Sequence, residues 1–120
     1  MPTLNLTTNV KIDDAKAFAL EFSQFGAETL NKPEHYISVI INYNELLTFG
    51  GSFEPAFNLR IDSLDNLDAA SNEVYSKAFG EFFEEKLGAK RTRGYITYID
   101  PGRENMGYDF TTFGTIFGKK

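Results

Sequence analysis

The chain carries a weak copy of itself, and that limits the folds open to it. Pro2-Thr3-Leu4-Asn5-Leu6 finds a counterpart in Pro55-Ala56-Phe57-Asn58-Leu59, and Tyr36-Ile37-Ser38-Val39-Ile40 in Tyr95-Ile96-Thr97-Tyr98-Ile99. Each segment alternates its side chains with the period of a strand. Between the two strands of each half the spacing turns helical. Ala15, Phe18, Phe22, Phe25 and Thr29 share one helical face in the first half. Leu67, Ala70, Val74, Ala78, Phe79, Phe82, Phe83 and Leu87 make a broad apolar stripe in the second. Asp13 or Asp14 is placed to cap the first helix, and Asn31 with Pro33 to end it. Asp65 or Asn66 can cap the second, and Gly88 follows its end. Strand, helix, strand, run twice with right-handed crossovers, predicts an α/β fold: two β-α-β units forming one four-stranded mixed sheet with two helices on one face.

The alternation also assigns the two faces of that sheet. Leu4, Leu6, Ile37, Val39, Ile41, Phe57, Leu59, Ile61, Ile96 and Tyr98 point to the helix side, whereas Thr3, Asn5, Ser38, Ile40, Ala56, Asn58, Arg60 and Thr97 point away from it. The second face is small and polar and has no helix to cover it, so it meets water or lines the inside of an oligomer. The 120 residues read as a single domain, 1–120, whose core is small enough to gain from association. In the linker from Asn42 to Pro55, Leu46, Leu47 and Phe49 are too apolar for a free loop and are expected to pack, on this chain or a neighbour. Gly50-Gly51-Ser52 lacks the following Lys-Ser/Thr and helix of a phosphate loop and reads as a turn.

Composition removes several kinds of chemistry. With a net charge of −5 the chain is a poor match for a nucleic-acid backbone. Lys90, Arg91 and Arg93 read as locally solvated, and Lys119 and Lys120 as a charged tail. No cysteine is present, which excludes thiolate chemistry and disulfides, and the one histidine, His35, argues against a histidine-rich metal site or a Ser-His-Asp triad. No cofactor and no metal is expected. No apolar run is long enough to span a membrane, and the start lacks the pattern of a secretory signal, so the expected compartment is the cytoplasm. Asn5-Leu6-Thr7 matches a glycosylation sequon but reads as strand sequence.

Met1-Pro2 has chemical consequences. While Met1 is attached, the Pro2 nitrogen is an amide without basicity. Removal of Met1 would make it a secondary amine, a candidate general base. A free α-amine ordinarily titrates near ~8. Burial and a nearby cation both disfavour its charged form, and a fall of about 2 units corresponds to ~2.7 kcal/mol.

The residues that carry a resemblance run along nearly the whole chain. They are Met1-Pro2, Thr8-Asn9-Val10, Lys32-Pro33 with Tyr36-Ile37, Phe49-Gly50-Gly51-Ser52 with Glu54-Pro55, Tyr75-Ser76-Lys77, Tyr95-Ile96 with Tyr98 and Asp100, Asn105 with Gly107, and Thr112-Phe113. In this order and spacing the chain, from residue 1 to about 114, resembles the macrophage migration inhibitory factor and D-dopachrome tautomerase family of the tautomerase superfamily. Gly114 to Lys120 run past the point where animal members stop. The resemblance implies a homotrimer whose three sheets wrap a central channel. It also implies keto–enol tautomerase activity on an aromatic α-keto acid such as phenylpyruvate, in a pocket at the subunit interface.

The same resemblance implies roles for single residues. Pro2 would be the base, then the acid that returns the proton. Lys32 would face the substrate carboxylate and disfavour protonation of Pro2. Leu64 would form an apolar wall, Tyr95 would come from the adjacent subunit to close over the ring, and Thr97 would stand at the distal end of the substrate. Tyr36, Met106, Tyr108 and Phe113 would line the aromatic slot.

Departures from the family pattern are also visible. Thr97 stands where animal members carry asparagine, Tyr108 replaces tryptophan, Met106 replaces valine, and Asp62 stands at a histidine position. The family's Cys-x-x-Cys is Ala56-Phe57-Asn58-Leu59 here, which leaves no chemical basis for thiol oxidoreduction. The alternative function is a secreted, cytokine-like protein with a receptor partner and incidental turnover, since the animal relatives leave the cell without a signal peptide. Dehalogenation or decarboxylation of small acids typically adds arginines near the proline, and no arginine precedes Arg60.

Overall fold

The fold is that of a computed structural model, described over residues 1–118; the charged pair Lys119-Lys120 lies outside the described residues. Four strands form one sheet: β1 (Thr3–Thr8), β2 (Ser38–Tyr43), β3 (Phe57–Asp62) and β4 (Gly94–Ile99), in the order β2-β1-β3-β4. β1 runs parallel to β2 and antiparallel to β3, and β3 runs parallel to β4. The two β-α-β halves therefore join through their first strands, where Leu4 lies opposite Ile61 and Leu6 opposite Leu59. Helices α1 (Ala15–Leu30) and α2 (Ala69–Leu87) link the strands within each half. No helix among the described residues is long and apolar enough to cross a membrane.

Local chemistry sets the helix ends. Asp14 caps α1 by accepting from the Ala17 N–H at 3.0 Å, and Asn31 closes it in the left-handed conformation at φ 53°. Helix α2 is capped by Asp68, which accepts from the Ser71 N–H at 2.7 Å, three residues later than the expected Asp65 or two later than Asn66. Both of those residues are engaged elsewhere: Asn66 accepts from the Ser63 hydroxyl at 2.6 Å, and Asp65 pairs with Arg103.

The core is phenylalanine-rich. Phe22 lies within 6.0 Å of the rings of Phe18, Phe79, Phe82 and Phe83, and Phe83 meets Phe57 of the sheet at 4.7 Å. Gly26 lets α1 approach β1 closely, because a Cβ there would collide with the Leu4 side chain. The inward faces of both helices differ slightly from the sequence reading. On α1 the stripe closes on Leu30, with Thr29 half-buried. On α2 the true face is Tyr75, Phe79, Phe82, Phe83 and Leu87. Val74 is 65% exposed, and Tyr75 turns inward because its hydroxyl can donate to the Asn66 carbonyl at 2.9 Å.

The uncovered face is as expected except at Ala56. That residue precedes β3 and is fully buried, accepting from the Thr8 hydroxyl at 2.8 Å and donating to Asn9 Oδ1 at 2.9 Å. It is covered by the linker, which is not free. The Asn9 amide donates to the carbonyls of Leu47, Phe53 and Glu54. Arg93, expected to be solvated, donates to the carbonyls of Phe49, Ser52, Glu54 and Pro55 and lies over the Phe49 ring. The linker carbonyls give a planar fork of donors more partners than water would hold in place. Leu47 and Phe49 are half-buried, but Leu46 and Phe53 remain exposed.

Candidate active site

The sequence places Tyr36-Ile37 in a strand, but the chain delays that strand. Pro33, at φ −60°, opens a 3-10 turn over Glu34–Tyr36, and β2 begins only at Ser38. The delay leaves Tyr36 beside the start of β1 instead of within the ladder. The Ser38 N–H donates to the Pro2 carbonyl at 3.0 Å, fixing the first residues of β1 against the new strand.

A third segment closes the site. After β4 comes a 3-10 turn (Arg103–Asn105), then a hairpin of β5 (Gly107–Tyr108) and β6 (Thr111–Thr112), then the short helix α3 (Phe113–Phe117). The hairpin loop, Asp109-Phe110, has both residues at positive φ, 54° and 63°, the geometry of a two-residue turn that usually takes Asn or Gly. The Phe113 N–H returns to the Met106 carbonyl at 3.0 Å.

Together these pieces enclose a cavity of about 350 Å³ lined by Met1, Pro2, Thr3, His35, Tyr36, Ile37, Ser38, Met106, Gly107, Tyr108 and Phe113. Pro2 is buried at its floor. Its aromatic wall is ordered by ring contacts: Tyr36 meets Tyr108 edge-on at 6.0 Å, and Tyr108 stacks on Phe113 at 5.4 Å and 9°. Such a slot suits a flat apolar group.

The electrostatics at its mouth favour a neutral amine. The Met1 α-amine is lowered from 8.0 to about 6, first by burial and then by the Lys32 ammonium; the Asp65 carboxylate works in the opposite direction. Lys32 follows the Asn31 cap, where its N–H donates to the Ala27 carbonyl at 3.0 Å.

Of the residues singled out by sequence, Pro2, Tyr36, Met106, Tyr108 and Phe113 converge on one cavity, and Lys32 acts on the amine beside it. Leu64 is buried and does not line the cavity. Tyr95 and Thr97 lie on β4, where they border a separate hollow on the uncovered face together with Asn5, Thr7, Asn58 and Arg60. Tyr95 is 69% exposed, its ring 5.1 Å from that of Phe49. Within the single chain neither lines Pro2's cavity. Sequence reasoning passed over His35, Ile37, Ser38 and Asp65. The first three became site residues only through the delayed start of β2. A larger hollow of about 520 Å³ lies between the outer faces of α1 and α2, and Glu21, Glu28, Glu81 and Glu85 are on its rim.

This architecture is shared with solved structures of tautomerase fold. The macrophage migration inhibitory factor of Trichinella spiralis superposes with a TM-score of 0.86 at 30% identity, over 92% of this chain and 99% of that one. The homologue from Prochlorococcus marinus gives 0.85 at 29% identity, over 93% and 99%. In sequence, the Trichinella spiralis homolog is 32% identical over 114 residues, 94% of this chain and 100% of the relative. The Rattus norvegicus factor is 31% identical over 114 residues, 94% and 99% of the two chains. The family model for macrophage migration inhibitory factor matches residues 1–114. The chain belongs to the macrophage migration inhibitory factor family.

Proposed function

We propose that this protein is a keto–enol tautomerase of aromatic α-keto acids such as phenylpyruvate, working as a homotrimer with Pro2 as acid–base group once Met1 is removed. One observation carries the reading: a buried proline forms the floor of an aromatic-walled cavity, and the α-amine of Met1, one residue before it, is lowered to about 6.

The chemistry needs one group in two states. Neutral Pro2 nitrogen takes a proton from the carbon next to the keto carbonyl. The C–H electron pair becomes the C=C bond of the enol, and the carbonyl π pair moves to oxygen. The protonated Pro2 then returns its proton to that oxygen, so proton and charge balance within one turnover. Lys32 holds the substrate carboxylate, which orients the reacting carbon and keeps Pro2 basic only weakly. Tyr36, Met106, Tyr108 and Phe113 grip the ring. Tyr95 of an adjacent protomer closes over it, with Thr97 towards its far end and Leu64 backing the wall. The exposure of Tyr95 on an uncovered sheet face supports that assignment.

Pro2→Gly is expected to lower phenylpyruvate tautomerisation by about 100-fold or more while the assembled mass stays the same. Unchanged turnover in that variant would remove the enzyme reading. Loss of turnover with receptor binding intact would separate a signalling role from the chemistry.

A further inference from the structure

Arg103 donates in two directions. Its Nε donates to Asp65 Oδ2 at 2.8 Å, and its Nη1 donates to the carbonyls of Phe117 and Gly118, each at 3.0 Å. Its guanidinium also lies 5.8 Å from the centroid of the Phe117 ring. The Arg103 and Asp65 side chains are each 22% exposed, whereas the arginines of the Arg60–Asp62 and Arg91–Glu84 pairs are 58% and 72% exposed. A shielded pair with a planar fork holds its geometry better than a solvated one.

One end of this clamp is stacked against the cavity wall, and the other lies outside the cavity lining. Phe117 stacks on Phe113 at 5.2 Å and 15°, and Phe113 stacks in turn on Tyr108. Phe113 and Tyr108 line the cavity, and Phe117 backs them. At the other end, Asp65 is held in the left-handed conformation at φ 68°, its N–H donating to Asp100 Oδ2. Its carboxylate acts on the Met1 α-amine against Lys32, and Pro2 is the next residue along the chain. His35, Tyr36 and Tyr108 are the other titratable side chains bordering that amine's cavity. Residues 115–118 lie beyond the stretch matched by the family.

We propose that Arg103 is a positioning residue that ties this chain's own C-terminal helix to the pocket, bracing the Tyr108–Phe113–Phe117 stack from behind and neutralising Asp65, and thereby tightens the slot for aryl over alkyl α-keto acids. This deepens the tautomerase reading and rests on it. Without Arg103 the Asp65 carboxylate attracts the ammonium form of the N-terminal amine more strongly. The amine then titrates higher, and the base is lost at a higher pH.

The test uses the Met1-free protein and its Arg103→Ala, Arg103→Lys and Phe117→Ala variants, with Pro2→Gly as reference. For Arg103→Ala, KM for phenylpyruvate is expected to rise roughly two- to tenfold, the loss of about one aromatic pair, with kcat nearly constant and little change in KM for an alkyl α-keto acid. The acid limb of kcat/KM and the NMR titration of the Pro2 amine should move up together by about half a pH unit. Arg103→Lys should restore the limb but not KM, because an ammonium cannot reproduce the fork. Phe117→Ala should raise KM and leave the limb in place. Wild-type KM in both Arg103→Ala and Phe117→Ala, or a wild-type titration in Arg103→Ala, would overturn the proposal. So would aryl and alkyl substrates suffering equally. If Pro2→Gly were as active as wild type, the tautomerase reading would fail. The amine titration and the affinity for phenylacetate, a non-reacting aryl acid, would still decide the role of Arg103.

Discussion

Lys32 shows how much one side chain can set. Burial of the chain start and the Lys32 charge both push the Met1 α-amine down, Asp65 pushes back, and the same charges face the Pro2 amine that removal of Met1 would expose. Lys32→Gln is therefore expected to raise the amine's pKa. On the proposed reaction, in which the neutral Pro2 amine is the base, the acid limb of kcat/KM should shift to higher pH, and KM should rise as the substrate carboxylate loses its partner. A pH–rate profile that stays put, with KM unchanged, would contradict this role. At this scale the sequence was legible as to position: Pro2 and the rings Tyr36, Tyr108 and Phe113 line one cavity, and Lys32 acts on the Met1 amine beside it. It was silent on Arg103 and Asp65, whose pairing spans 38 residues and arises from no local pattern.

Arg93 plays the corresponding part for whole elements. One guanidinium accepts the duty of holding four carbonyls of the linker, while Asn9 holds it from the other side. Arg93→Ala should lower stability by about 1–3 kcal/mol, since charged donors are lost from several acceptors at once but part of the network is wet. Amide exchange across residues 46–55 should quicken while that of β1 and β3 does not. Uniform exchange in the variant and the parent would show that the linker holds itself. The strands and helices were readable because their apolar periods are strong. The β2 start was misplaced because Pro33 spends three residues on a 3-10 turn, and the 107–112 hairpin went unseen because Asp109-Phe110 lacks the residues that usually mark such a loop.

Among the described residues no helix covers one face of the sheet. On that face Ile40 and Tyr95 are 43% and 69% exposed. A face of this kind supports the homotrimer proposed above. Light scattering should give the mass of three chains of 13.5 kDa each, and Ile40→Lys should shift the protein towards single chains and abolish turnover. If the pocket takes Tyr95 from a neighbour, co-assembling Pro2→Gly with Tyr95→Ala should recover activity that neither variant has alone. Failure to recover it in verified mixed assemblies would confine the site to one protomer. Sequence alternation foretold that this face lacks a helix. It could not say what lies against it, because a polar face meets water or another chain with the same pattern.

The central claim concerns a single nitrogen, and NMR of protein labelled with ¹⁵N-proline addresses it directly. In the Met1-free protein, Pro2 is expected to titrate clearly below the ordinary α-amine range of ~8, at the same pH as the acid limb of phenylpyruvate turnover. A Pro2 nitrogen that remains an amide, or one that titrates at or above that range while turnover persists, would contradict the account.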